Sequence, residues 1–307
     1  MATSYPSDLT VKATLNGTEY TLTWDDINNY YTATLTAPGA TSFNRDGHSY
    51  PIDIVASNSY GATATASTKI SVYETIAPTI GMFSPTEGTY YSTNTPTFLF
   101  NVIDEDGGSG VNRDATTITI DGTEIDWTDV KTVTNGYSYT VEVPNALING
   151  AHKLVVYAED FDGNDTTQTI NFTVDVTPPQ LNLYSPENDL KTNAATLLVK
   201  GATNDSTSST VNVTITVKCG STTGKTITPT VASDGTFSYT LTSADGYGSG
   251  TNTITVTSTD LVGNATTVTR TVYCDTSHLT IESAEVSSNV VPTSSTVVLT
   301  VKIVSTS

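Results

Sequence analysis

Tyr157-Ala158-Glu159-Asp160-Phe161-Asp162-Gly163-Asn164-Asp165-Thr166-Thr167 recurs one hundred residues later as Thr257-Ser258-Thr259-Asp260-Leu261-Val262-Gly263-Asn264-Ala265-Thr266-Thr267. A weaker copy, Val55-Ala56-Ser57-Asn58-Ser59-Tyr60-Gly61-Ala62-Thr63, lies upstream. Each copy is followed by a strand-like run and then a hinge: Glu74-Thr75-Ile76-Ala77-Pro78, Asp175-Val176-Thr177-Pro178-Pro179 and Asp275-Thr276-Ser277. The two longer units also open alike, with Ile80-Gly81-Met82-Phe83-Ser84-Pro85 matching Leu181-Asn182-Leu183-Tyr184-Ser185-Pro186. A repeat of this length is one folding unit used serially. The chain therefore divides into 1–74, 75–176, 177–276 and a remnant, 277–307, shaped like the first strands of a fourth unit.

Within a unit the apolar period is two. Val211, Val213, Ile215 and Val217 alternate with polar residues, as do Ile170, Phe172, Val174 and Val176. That period belongs to strands with one dry and one wet face. Asn-Gly and Asp-Gly pairs (Asn16-Gly17, Asp121-Gly122, Asn135-Gly136, Asp234-Gly235) supply the positive φ of tight hairpins. No stretch carries a helical period. Seven or so short strands per unit, joined by such turns, read as an all-β chain of tandem immunoglobulin-like β-sandwiches.

The Asp-x-x-Gly-Asn turn, the Thr-rich last strand and the Asp-x-Thr-Pro-Pro hinge resemble bacterial Ig-like (Big-type) repeats, well over 75–276 and loosely over 6–74. The resemblance implies stacked sandwiches of adhesins, surface proteins or phage virion proteins. The Val290-Val291-Pro292 turn of the remnant, and the stretch from Tyr5-Pro6-Ser7-Asp8-Leu9 to Trp24, resemble Ig-like tail-associated proteins of phages of Gram-positive bacteria.

Composition narrows the function. Twelve Lys+Arg stand against 31 Asp+Glu, a formal net charge of -19. Nucleic acid needs basic partners and an anionic membrane surface attracts basic segments, so neither is an expected partner. No apolar run approaches the ~18 residues of a membrane helix. Hydrophobic residues are only 36%, and threonine, roughly a fifth of the chain, fills half-wet strand positions.

No catalytic residue is assigned. His48, His152 and His278 fall in different units and read as surface histidines. Gly246-Tyr247-Gly248-Ser249-Gly250 lacks the strand-to-helix setting of a nucleophile elbow. Trp24, Trp127 and sixteen tyrosines raise a sugar-binding platform. However, Tyr30-Tyr31 and Tyr90-Tyr91 are adjacent on strands and point to opposite faces, so core and cross-strand packing is expected. Cys219 and Cys274 share inward parity. If they end strands C and G, strand F separates them by roughly 9–10 Å, beyond the ~7 Å reach of a disulfide, so both are expected as free thiols.

The acidic loops are the candidate site. Ile103-Asp104-Glu105-Asp106-Gly107-Gly108-Ser109-Gly110 is expected between strands B and C, and Asp160-Phe161-Asp162-Gly163-Asn164 between F and G. Both loops fall at the end of the sandwich where strand A enters, bringing hinge Glu74 into reach. Asp104, Asp106, Asp160, Asp162 and Glu74 together offer the hard oxygens Ca²⁺ takes. Asn204, Asp205, Asp260, Asn264 and Asp175 make a thinner version in the next unit. The alternative is that Asp, Asn and Gly only shape turns.

Met1 to Pro6 shows neither a basic start nor an apolar run of the kind that opens a secretory leader. Together with the resemblance, this leads to a non-enzymatic structural and adhesive protein of a phage tail or phage-like particle. Its expected partners are other tail subunits and a host-surface polysaccharide or protein, and its expected place is exposed on the virion. A fragment of a bacterial cell-surface adhesin, placed extracellularly, and a carbohydrate-binding accessory module are the alternatives.

Overall fold

The computed structural model of the protein describes residues 8–207, 211–222 and 224–306; the Tyr5–Ser7 part of the resemblance lies outside them. The chain divides into two compact units, Met1–Thr89 with Thr95–Thr173, and Tyr90–Asn94 with Val174–Ser307. The described residues form an all-β protein, with 3-10 turns at Asp46–His48 and Ser243–Asp245. Among them no helix is long and apolar enough to cross a membrane.

The first unit begins with β1 (Leu9–Leu15), β2 (Thr18–Asp25), β3 (Tyr30–Thr32), β4 (Tyr50–Asn58) and β5 (Thr63–Ile70). All five lie in one antiparallel sheet, order β3-β2-β1-β4-β5, where the sequence leads one to expect two facing sheets over 1–74. Asn16 and Gly17, at φ 47° and 77°, make the tight turn between β1 and β2. Val11, Ala13 and Leu15 form the buried row of β1. Residues 33–45, which would supply an opposing strand, run without a ladder. Pro38 within that run has no N–H to give one. The run is instead tied to the chain after β5: Ser42 N–H and Oγ donate to Val72 O at 2.7 and 3.0 Å.

The second domain of this unit is a two-sheet sandwich. Its strands are β6 (Thr79–Ser84), β7 (Thr89–Tyr91), β8 (Thr97–Ile103), β9 (Val111–Ile120), β10 (Thr123–Glu124), β11 (Asp129–Val133), β12 (Gly136–Glu142), β13 (Gly150–Asp160) and β14 (Asp165–Val174). One sheet runs β11-β12-β8-β6, and β10-β9-β13-β14 run together in the other. Alternate residues of facing strands make the core: Phe98, Phe100, Val102 and Tyr139 meet Ile118, Leu154, Val156 and Phe172. The Phe100 and Tyr139 rings stack at 4.9 Å, and Phe98 meets Phe172 edge-on at 5.3 Å.

The other unit repeats this sandwich with β15 (Gln180–Ser185), β16 (Leu190–Thr192), β17 (Leu197–Asn204), β18 (Asn212–Cys219), β19 (Lys225–Ile227), β20 (Thr236–Leu241), β21 (Gly250–Thr259) and β22 (Ala265–Cys274). Its sheets are β15-β17-β20 and β16-β22-β21-β18-β19. β16 pairs parallel to β22 while the neighbouring pairs are antiparallel. Val199, Val213, Ile215, Ile254, Val256 and Val272 form its fully buried centre. Threonines cover the wet face of β21 and β22 in cross-strand pairs, Thr255 with Thr269 and Thr257 with Thr267. The latter pair shares a hydroxyl hydrogen bond of 3.0 Å.

The remnant is a hairpin of β23 (His278–Val286) and β24 (Leu299–Thr306). A bulge between Ile281 and Ser283 matches that between Leu183 and Ser185 in the β15–β17 pair. Leu299, Val301 and Ile303 are 63, 39 and 59% exposed, whereas Leu197 and Val199, the corresponding row of β17, are 5 and 0% exposed. Among the described residues no second sheet faces this hairpin.

Ile215→Ala should lower the stability of its sandwich by about 2–5 kcal/mol, because a fully enclosed side chain leaves a cavity. Leu198→Ala, at a position 47% exposed, should stay within about 0.5 kcal/mol. Urea unfolding of the two variants checks the contrast.

Candidate metal centres

Strand parity places the first acidic centre. On β13, His152, Leu154, Val156, Ala158 and Asp160 all face inward, so the strand delivers a carboxylate to the end of the core. Asp160 is fully buried. Its Oδ1 accepts the N–H groups of Asp162 (2.8 Å) and Asn164 (2.9 Å), and its Oδ2 accepts the Asn164 side-chain amide at 2.8 Å. The same amide donates to the hinge carbonyl of Glu74 at 3.3 Å. This explains the spacing of the recurrent motif: Asp closes the turn, Gly163 supplies φ 89°, and Asn clamps the turn to the hinge.

Asp104 follows β8 and is 3% exposed. Its Oδ2 accepts Gly110 N–H at 2.6 Å, while Oδ1 is buried and accepts no hydrogen bond. Glu74 accepts Ser109 N–H through a short bond at Oε1, and its Oε2 is likewise buried and unpartnered. Carboxylate oxygens of Glu74, Asp104 and Asp160 all lie within 4.8 Å of one another. A side chain at Gly108 would have to displace these carboxylates. A Cβ there would stand 2.5 Å from Asp104 Oδ2 and 2.8 Å from Glu74 Oε2.

Two of the five expected ligands stand elsewhere. Asp106 is exposed on the turn and outside the cluster. Asp162 Oδ2 accepts Thr41 Oγ1 at 2.5 Å and Glu74 N–H at 3.0 Å, so this carboxylate fastens the first sheet's loop and the hinge. Beside it the Phe43 and Phe161 rings stack at 4.8 Å, and Asn44 donates to Gly108 O at 3.0 Å. Glu105, which the sequence reading passed over, follows Asp104 on the same loop and is half-buried. Its Oε2 is buried without a partner. The neighbouring Glu74 carboxylate, then burial and Asp104, push its carboxyl up to about 7. Like-charged groups this close oppose joint ionisation unless a cation or a proton intervenes.

The second centre repeats the plan. Oxygens of Asp175, Asp205 and Asp260 lie within 4.8 Å of one another. Asp260 Oδ1 accepts Val262 and Asn264 N–H at 3.0 and 2.8 Å, and Asn264 Nδ2 donates to Asp260 Oδ2 and to Asp175 O at 2.7 and 2.9 Å. Asp175 is fully buried, with Oδ1 accepting Thr177 N–H at 3.2 Å and Oδ2 unpartnered. Asn204 is exposed at the end of β17 and does not join them. Buried carboxylate oxygens without donors suit a hard oxygen-seeking cation such as Ca²⁺.

The histidines do not converge. His48 sits in a 3-10 turn against Phe43 O, and His278 begins the exposed hairpin. His152 is not a surface residue as expected. It shares the parity of Leu154 and is 6% exposed, stacks on Phe172 at 5.5 Å, and is held by Asp121 Oδ2 at 2.7 Å and Ile148 O at 2.8 Å. Cys219 and Cys274 are free thiols on β18 and β22, with β21 between them, as the strand argument requires. Trp24 faces Tyr31 across β2 and β3 at 5.2 Å, so the aromatic pair is cross-strand packing.

Residues 179–276, about a third of the chain, match the family model of glucodextranase, domain B. No curated protein matches the chain. Among solved structures it is similar to dimeric latent PorU from Porphyromonas gingivalis, at 16% identity over 87% of this chain and TM-score 0.29. It spans only 29% of that protein. It is also similar to a tetra-tandem repeat from the extending region of a large adhesion protein (18% identity, 97% of this chain and 81% of that one, TM-score 0.35). A third is a structure concerned with host cell surface retention of a 1.5-MDa bacterial ice-binding adhesin (20% identity, 89% and 88%, TM-score 0.34). Likenesses of this size assign no role to the chain.

Asn164→Ala removes the clamp on both Asp160 and the hinge, and should cost about 2–3 kcal/mol from one charged and one neutral hydrogen bond, read as a lowered thermal midpoint. Intact mass should be the same with and without reductant, since neither cysteine is bridged.

Proposed function

We propose that the chain is a non-enzymatic structural and adhesive protein, a series of β-domains that holds surface contacts away from an anchoring body. Ca²⁺ held by Glu74, Asp104 and Asp160, and by Asp175, Asp205 and Asp260, stiffens its hinges. The observation that supports this reading is the hinge clamp made twice at equivalent positions, Asn164 to Glu74 O and Asn264 to Asp175 O. A device spent on fixing successive hinges serves spacing. Many copies would turn weak individual contacts into firm attachment. The setting we propose is the tail of a phage or phage-like particle, in keeping with the resemblance of the repeats and of the remnant's Val290-Val291-Pro292 turn. The partners would be other tail subunits and a host-surface polysaccharide or protein.

The glucodextranase domain B match of residues 179–276 favours a second reading, an accessory module of a carbohydrate-acting protein. Affinity electrophoresis in gels of soluble α-glucan separates the two: retardation of the chain supports the accessory module. Antibody raised against the chain should label tails of the particles encoded beside it; labelling confined to the bacterial envelope would sink the phage setting. If Ca²⁺ stiffens the hinges, adding EGTA should lower the thermal midpoint by about 4 °C or more per kcal/mol of binding lost. An unchanged midpoint would remove the cation from this account.

A further inference from the structure

We infer that the β23–β24 hairpin is a self-association surface, on which two copies of the chain pack their hairpins face to face about a two-fold axis. The inference stands apart from the cation reading proposed above.

The ladder sorts the side chains of this hairpin onto two unlike faces. Residues directly opposite one another in an antiparallel pair share a face. Ile281 stands opposite Ile303, Ala284 opposite Val301, and Val286 opposite Leu299; Leu279, opposite Ser305, continues the row. The bulge between Ile281 and Ser283 keeps that row dry. Without the extra residue the period of two would put Ser283 and Glu285 where Ala284 and Val286 now stand. The other face takes Thr280, Ser283, Glu285, Thr300 and Lys302. Glu282, in the bulge, reaches across to Lys302 at 2.5 Å. The apolar face therefore holds no ionisable side chain.

That face is open. Leu279, Ile281 and Val286 are 71, 64 and 47% exposed, in line with the row of β24 opposite them. Among the described residues β23 and β24 pair only with each other. A two-stranded hairpin is marginal in water unless another layer covers it.

A second copy of the same face meets the requirements of a cover. The first is charge. Between 277 and 307 stand two acids, Glu282 and Glu285, and one base, Lys302, a formal net of -1 out of the chain's -19. Copies of so acidic a chain repel one another, and this hairpin is where that repulsion is weakest. The second is shape. A two-fold axis brings a face against itself, so apolar row meets apolar row, and the pair forms two layers about 10 Å apart, the spacing of packed sheets. The third is area. Together with the valines of the connection, which are 44–86% exposed, each hairpin offers apolar surface on the order of 500 Å². Two copies would then cover about 1,000 Å², the size at which specific interfaces begin.

The test is sedimentation equilibrium of the full chain from about 1 to about 500 µM, in EGTA and again in CaCl₂. A monomer–dimer equilibrium is expected in both. Val301→Glu, in the middle of the apolar face, should weaken it about a hundredfold or more, because each dimer would bury two unpaired charges. Thr280→Glu, on the polar face, should leave it within about twofold. Unchanged thermal midpoints of the sandwiches show that each variant is folded. A parent chain that stays monomeric throughout, assemblies larger than two, or a Val301→Glu dimer as stable as that of the parent would overturn the inference.

Discussion

In each sandwich one side-chain amide ties a turn to the hinge that precedes it. A hinge between domains has few neighbours, and its backbone groups would otherwise be left to water. Asn164 and Asn264 each spend one amide on a buried aspartate and on a hinge carbonyl. The aspartate in turn collects the N–H groups of its own turn. Turn, strand end and hinge become one hydrogen-bonded knot, and the acidic centre is assembled around it because the hinge carboxylate arrives at a defined place.

The acidic composition has a local consequence. A chain with a formal net charge of -19 repels other anions, but its carboxylates are not evenly spread. Burying Asp104, Asp160, Asp175 and Asp260, each at most 4% exposed, in two small clusters is costly unless every charge is compensated. Backbone N–H groups compensate part of it, and the oxygens left over are those aimed into the clusters. Threonine plays the opposite role on the wet faces. Its β-branched stem suits a strand and its hydroxyl pairs across strands, so a protein with a modest apolar fraction still forms long ordered sheets.

Much of the candidate site could be read before any coordinates. Asp160 ends the inward-facing row of β13 and Asp260 directly follows that of β21, and the Gly-Asn after each marks the turn. Glu74 and Asp175 occupy the same place in successive hinges. The loop between β8 and β9 was less legible. Asp104, Glu105 and Asp106 are consecutive acids in a segment without a period, so nothing in their order says that Glu105 turns in and Asp106 turns out. Asp162 looked like a ligand because it is acidic and adjacent. Its neighbour across space, Thr41, lies more than a hundred residues away in the chain, and that hydrogen bond cannot be foreseen from spacing. His152 could have been foreseen, since its parity matches Leu154.

Local chemistry alone determined the strands, their inward rows, the turns and the repeat, because backbone pleating imposes a period of two and positive φ selects Asn, Asp and Gly. It also led to the expectation of free thiols at Cys219 and Cys274, because the spacing of neighbouring strands varies little. Only the tertiary structure decided which carboxylates share a centre, that the described strands before Ser71 form one sheet, and that the apolar rows of β23 and β24 stand uncovered. Those outcomes depend on which loops and sheets meet in space, and side chains far apart in the chain carry no mark of one another.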